Sequence, residues 1–178
     1  YIVKNNLFIL IFFLLLGCSS QTTVNTNATV KTSCPIVLFS SEHSKYITGI
    51  TKPITSENVS YRAEINNYAY SSECLIIDNV FQADLSLLFV VKPDLTEESS
   101  LTLPFYVAIL NANDEVVDMQ YYQVDGDLMS ESENTNYIET ELTKTIKLQT
   151  PSSNEEVFSQ DKLVVGFMLD KKKLGILN

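Results

Sequence analysis

Between Val80 and Val91 the apolar residues Phe81, Ala83, Leu85, Leu87 and Phe89 occupy every second position, the period at which an extended chain turns successive side chains to opposite faces. A helix cannot gather residues at that spacing onto one stripe, so the segment predicts a long β-strand with one face in a core. Its far end, Leu87 to Val91, is continuously apolar, which predicts burial on both sides there. Just upstream, Cys74-Leu75-Ile76-Ile77 runs into Asp78-Asn79, two residues that tolerate positive φ and close tight hairpins. Before that, Val59, Tyr61, Ala63 and Ile65 alternate with Ser60, Arg62, Glu64 and Asn66, and Asn66-Asn67 is expected to bend or bulge the strand ahead of Tyr68-Ala69-Tyr70.

The same patterning extends to both sides. Cys34 to Phe39 reads as a first strand, followed by a polar loop through His43, Gly49 and Pro53. Lys92 to Thr102 reads as an acidic loop punctuated by Pro93 and Pro104, and Pro104 to Leu110 as the next strand. Asn113-Asp114 predicts a second hairpin turn, with Glu115 to Val124 pairing back and Tyr121-Tyr122 near its end. Thr140 to Gln149 and Leu163 to Leu169 complete the set. About eight short strands without a helical period predict an all-β fold, an antiparallel β-sandwich of immunoglobulin or fibronectin-III type spanning residues 34–178. The immunoglobulin Cys-Trp-Cys signature is missing, because the chain has no Trp.

The N-terminal end is of another kind. Lys4 precedes an apolar run from Leu7 to Leu16, too short for a comfortable bilayer span but suited to a secretory signal. The run closes on Leu15-Leu16-Gly17-Cys18, which resembles the bacterial lipobox, where cleavage precedes the cysteine and that cysteine carries the lipid. Residues 1–17 are therefore expected to be a lipoprotein signal peptide, Cys18 the lipidated residue and 18–33 a polar tether. As a coil this tether would reach about 20 Å. The alternative is an uncleaved anchor, or a secreted chain in which Cys18 is incidental. Ser19, where an Asp resembles an inner-membrane retention signal, suggests the outer membrane, with the domain facing the periplasm.

Without the signal, 11 basic residues stand against 22 acidic ones, a balance of −11. That charge argues against nucleic acid and against direct adhesion to anionic headgroups, so membrane contact is expected through the lipid alone. With Cys18 acylated, Cys34 and Cys74 remain as an even pair in an oxidising compartment and are expected to form a disulfide.

Several residues invite chemical readings. Cys34 with His43, the only histidine, would make a thiol nucleophile and its base, but no third orienting group is evident and an exported thiol is normally oxidised. Asp125-Gly126-Asp127, with Glu131 and Glu133, suggests a calcium loop, since the ion takes six to eight oxygens. The spacing lacks the third ligand position and terminal Glu of an EF-hand, and a solvated acidic loop explains it equally well, so no metal or other cofactor is expected. Glu64 and Asp84 would form a carboxylate pair if neighbouring strands brought them together. There is no Gly-x-Ser-x-Gly and no histidine-rich metal set. Lys171-Lys172-Lys173 most simply solvates the chain end, or meets lipid phosphates. The expectation is a non-catalytic interaction or envelope-structural module with a protein partner; the alternative is an envelope hydrolase or glycan-binding accessory domain.

Leu-Leu-Gly-Cys at 15–18, Cys-Pro-Ile-Val-Leu at 34–38, Val-Ser-Tyr-Arg-Ala-Glu-Ile at 59–65, Cys74, Leu-Pro-Phe-Tyr-Val-Ala-Ile-Leu at 103–110 and Val-Val-Gly-Phe-Met-Leu at 164–169 together resemble a family of uncharacterised alphaproteobacterial lipoproteins. The resemblance covers nearly all the domain. It implies the fold and an envelope location, and it transfers no catalytic residue.

Overall fold

The computed structural model describes residues 29–96, 99–130, 137–151 and 161–177. The strands are β1 (Thr29–Lys31), β2 (Ile36–Phe39), β3 (Lys45–Gly49), β4 (Val59–Tyr70), β5 (Leu75–Ile77), β6 (Val80–Pro93), β7 (Ser100–Leu110), β8 (Val116–Asp127), β9 (Thr140–Pro151) and β10 (Lys162–Phe167), and one helix follows, α1 (Lys171–Leu177). They form a β-sandwich of a six-stranded and a four-stranded sheet.

The alternating segment is the spine of the larger sheet. β9 runs along one side of β6 in unbroken register from Val80↔Pro151 to Val91↔Thr140. Along the other side lie β5, against Val80–Gln82, and β4, against Leu85–Pro93. β3 extends the sheet beyond β4, and β1 extends it beyond β5. The smaller sheet runs β2-β10-β7-β8, with β2 parallel to β10 and the other pairs antiparallel.

Between the sheets, Phe81, Leu85, Leu87 and Phe89 of β6 meet Leu103, Phe105 and Val107 of β7 and Leu163, Val165 and Phe167 of β10, all fully buried. The Phe89 ring lies 5.1 Å from Phe105 and 5.8 Å from Phe167, centroid to centroid. Each such side chain contributes about 1.5–3 kcal/mol by leaving water.

Both hairpin turns form where expected. Asp78 and Asn79 take φ of 52° and 62°, and Asp114 takes 62°. Asn111 Oδ1 closes the second turn by accepting the N–H groups of Asn113 at 2.9 Å and Glu115 at 3.0 Å. The expected bulge in β4 falls between Ile65 and Asn67.

The structure departs from the sequence expectations in four places. Thr29–Lys31, within the expected tether, pairs with Leu75–Ile77 as β1, and Thr32 N–H continues the ladder to the Cys74 carbonyl at 3.0 Å. Lys45–Gly49, within the expected loop, is β3; its short apolar pair has too few residues to show a period, yet Tyr46 faces the core and Ile47 is buried on the opposite side, where α1 packs on β3. That helix carries no periodic signal in the sequence, being a single short element that opens on the Lys171-Lys172-Lys173 run. Finally, β7 begins at Ser100, so Pro104 is interior to a strand. The Pro104 carbonyl accepts the Met168 N–H at 3.0 Å just past the end of β10, so the donor that proline lacks falls where that ladder has stopped.

Cys34 and Cys74 form a disulfide with Cα atoms 5.3 Å apart. Cys34 leads into β2 of the smaller sheet and Cys74 into β5 of the larger, so the bond staples one layer to the other. The two cysteines are 40 residues apart in sequence, and a loop of that length restricts the unfolded chain by about 4 kcal/mol in the entropy model. Replacing both cysteines by Ser is expected to lower unfolding free energy by about that amount in urea melts. An unchanged midpoint would show that the staple contributes nothing.

Candidate functional site

Cys18, Glu131 and Glu133 lie outside the described residues. The remaining candidates are placed, and the structure does not assemble them into a reactive centre. Cys34 is consumed in the disulfide, so it has no thiol to offer His43. His43 instead directs Nδ1 to the Tyr106 hydroxyl at 3.0 Å, the two rings meeting edge to face. Glu64 pairs with Val90 along β6, whereas Asp84 pairs with Lys147. Six strand positions separate them, about 20 Å, so the carboxylates do not face each other.

Of the four carboxylates in the calcium reading, two are placed. Asp125 and Asp127 belong to the β7–β8 ladder, opposite Thr102 and Ser100, rather than to a loop able to wrap an ion. The Thr102 hydroxyl donates to Asp125 at 2.6 Å and the Gln123 amide at 3.0 Å, and these bonds hold the Asp125 carboxyl below the usual carboxylate range. Gly126 serves packing: a Cβ there would stand 2.6 Å from Leu142 Cδ2, so the glycine admits a β9 side chain against β8. Among the described residues no group of three or more His, Cys, Asp or Glu could hold a metal.

What the structure does assemble is an apolar surface on the outside of the smaller sheet. Register places Leu38, Val164, Ala108 and Met119 in one row across all its strands. The next row is Ile36, Lys162, Leu110 and Val116, and on the other side lie Gly166, Tyr106 and Tyr121. Ile36 is 63% exposed, Leu38 46%, Val116 57%, Met119 39% and Tyr121 62%, while Val164 and Leu110 are half-buried and Ala108 is buried at the floor of the face. Isolated exposed apolar residues are ordinary, but a contiguous face is not. The outer side of the larger sheet follows the ordinary rule, with Glu141, Thr143, Thr145, Lys147 and Gln149 of β9 exposed there.

Gly166 shapes one end of this face. A Cβ at that position would stand 2.6 Å from the Tyr106 hydroxyl and 2.8 Å from His43 Cβ. Its absence lets the Tyr106 ring lie across β10 and reach His43. Of the adjacent tyrosines, Tyr121 is exposed while Tyr122 stacks on Phe105 at 5.5 Å. Burial, and then the nearby Asp118 carboxylate, raise the Tyr122 hydroxyl pKa.

The edge of β8 is less available than its face. Asp118 Oδ1 takes the Met119 N–H at 2.8 Å, and the Gln120 amide donates to the Gln149 carbonyl of β9 at 2.9 Å, bridging the two sheets. An extended segment seeking that edge would find these groups already engaged.

The sequence reading located the strands carrying this face but missed the face itself. The available signal was a mismatch of pattern and position: Ile36-Val37-Leu38-Phe39 is apolar on both sides, although β2 ends a sheet. Such a run implies two buried faces, and only one has a covering layer in the fold.

Two consequences are measurable. Gly166→Ala is expected to displace Tyr106 and His43 and to cost about 1–3 kcal/mol in chemical denaturation, with altered near-ultraviolet tyrosine dichroism. Asp161 is buried, its Oδ1 has no partner among the described residues, and burial raises its pKa. The folded state thus holds the Asp161 proton more tightly than the unfolded state does. This contribution favours folding at low pH, below the ordinary aspartate value of about 3.9, and is lost as pH rises through the raised folded-state value. Asp161→Asn is therefore expected to raise the melting temperature at neutral pH, with the gain vanishing in acid; an equal gain at both would exclude ionisation as the cause.

No family model, no curated protein and no solved structure matches this chain.

Proposed function

We propose that the chain is a lipid-anchored, non-catalytic interaction module of a bacterial envelope, held to the outer membrane through Cys18 and working in the periplasm. Membership of the alphaproteobacterial lipoprotein family belongs to the same proposal. The observation that carries the interaction reading is the apolar outer face of the smaller sheet, on which Ile36, Leu38, Val116, Met119 and Tyr121 are exposed. A contiguous exposed apolar surface costs solubility and is retained where something covers it. Anchoring is supported by the lipobox-like residues 15–18 and by the disulfide, which suits an oxidising compartment.

The test uses cells fed radiolabelled palmitate. Wild-type chain is expected to carry the label and sediment with membranes, and Cys18→Ser to lose both properties. Retained label in the variant would overturn the anchor. Chemical crosslinking in the same cells is expected to yield a discrete higher-mass species, and its absence would overturn the interaction role.

A further inference from the structure

Resting on the interaction-module reading, we propose that the outer face of the smaller sheet docks a polypeptide segment whose apolar side chains are flanked by Lys or Arg, the exposed Ile36, Leu38, Val116, Met119 and Tyr121 taking the apolar groups and Glu115, Asp125 and Asp127 the cations.

The charges that frame the face carry the inference. Asp125 and Asp127 stand at one end of β8, and Asp114 and Glu115 at the turn leading into its other end. The two ends are some eleven strand steps apart, about 35 Å, with apolar residues between them. Among the described residues Lys162 is the one basic side chain in these rows, and its Nζ is bound to Asp114 at 2.7 Å. Among the described residues Glu115, Asp125 and Asp127 form no ion pair. The charge of Lys162 is thus taken up by Asp114, and an apolar centre whose unpaired rim charges are acidic is the pattern of a docking surface that selects its partner by charge.

The same rim disfavours other occupants. A second copy brings acid onto acid whichever way it is turned, because both ends of the face are acidic, and each chain already carries a net charge of −10. An anionic lipid surface meets the same repulsion. A cationic amphipathic segment meets attraction at both ends while its apolar residues leave water.

The test places photoreactive p-benzoylphenylalanine in the full chain, in the cells that make it, at Leu38, Met119 or Tyr121, with Thr145 on the outer side of the larger sheet as control. Formation of the Cys34–Cys74 bond verifies folding of each variant. Adducts from the first three positions are expected to exceed those from Thr145 by about tenfold, and mass spectrometry to locate them in an apolar stretch bordered by Lys or Arg. Asp125→Asn with Asp127→Asn is expected to lower the Tyr121 yield by about fivefold. An adduct with a second copy, with lipid, or with a segment lacking basic residues overturns the proposal, as does a yield indifferent to the acidic variants. Adducts confined to Thr145 overturn this surface while leaving the interaction role standing; no adduct at any position overturns both.

Discussion

The contact of Phe89 with Phe105 and Phe167 is where the two sheets become one body. Phe89 belongs to β6, the strand to which β4, β5 and β9 are all hydrogen-bonded, so whatever fixes β6 fixes the larger sheet. Phe105 and Phe167 sit opposite each other on β7 and β10 of the smaller sheet. A period-two pattern specifies register strongly when one face is buried, since a slip of one residue would turn every inward side chain outward. The three rings therefore set which side of each sheet faces in, and by default which residues face out.

That default explains what was legible in the sequence. Long, regular alternation identified β4 and β6, and the Asp78-Asn79 and Asn113-Asp114 turns identified their neighbours, because both signals are local. β1 and β3 were illegible because each is short; β1 also owes its structure to β5, distant in sequence, whereas β3 pairs with the next strand, β4, across a polar loop. Pro104 misled because its tolerance depends on where β10 ends, which no local pattern records. The disulfide was predictable from parity, whereas the candidate surface was not: it exists only through the juxtaposition of β10 with β2 and with β7, pairs that span long stretches of chain.

The chemistry-bearing residues illustrate the opposite case. Cys34, Asp125 and Gly126 attract functional readings by type, yet each is engaged in structure: a covalent staple, a hydrogen bond from Thr102, and room for Leu142. Apolar residues such as Leu38 and Met119 attract none, since their type predicts burial. Their significance lies in being where burial was not supplied.

The position of the staple also determines how the domain bears tension. A pull arriving from the N-terminal side first reaches β1, a three-residue strand held among the described residues by its ladder to β5 and by the exposed Lys31–Glu73 pair. It next reaches Cys34, and there the load passes through the sulfur bridge into Cys74 and the larger sheet, bypassing the thin parallel contact of β2 with β10. The smaller sheet, with its outer face, is thereby kept off the line of force.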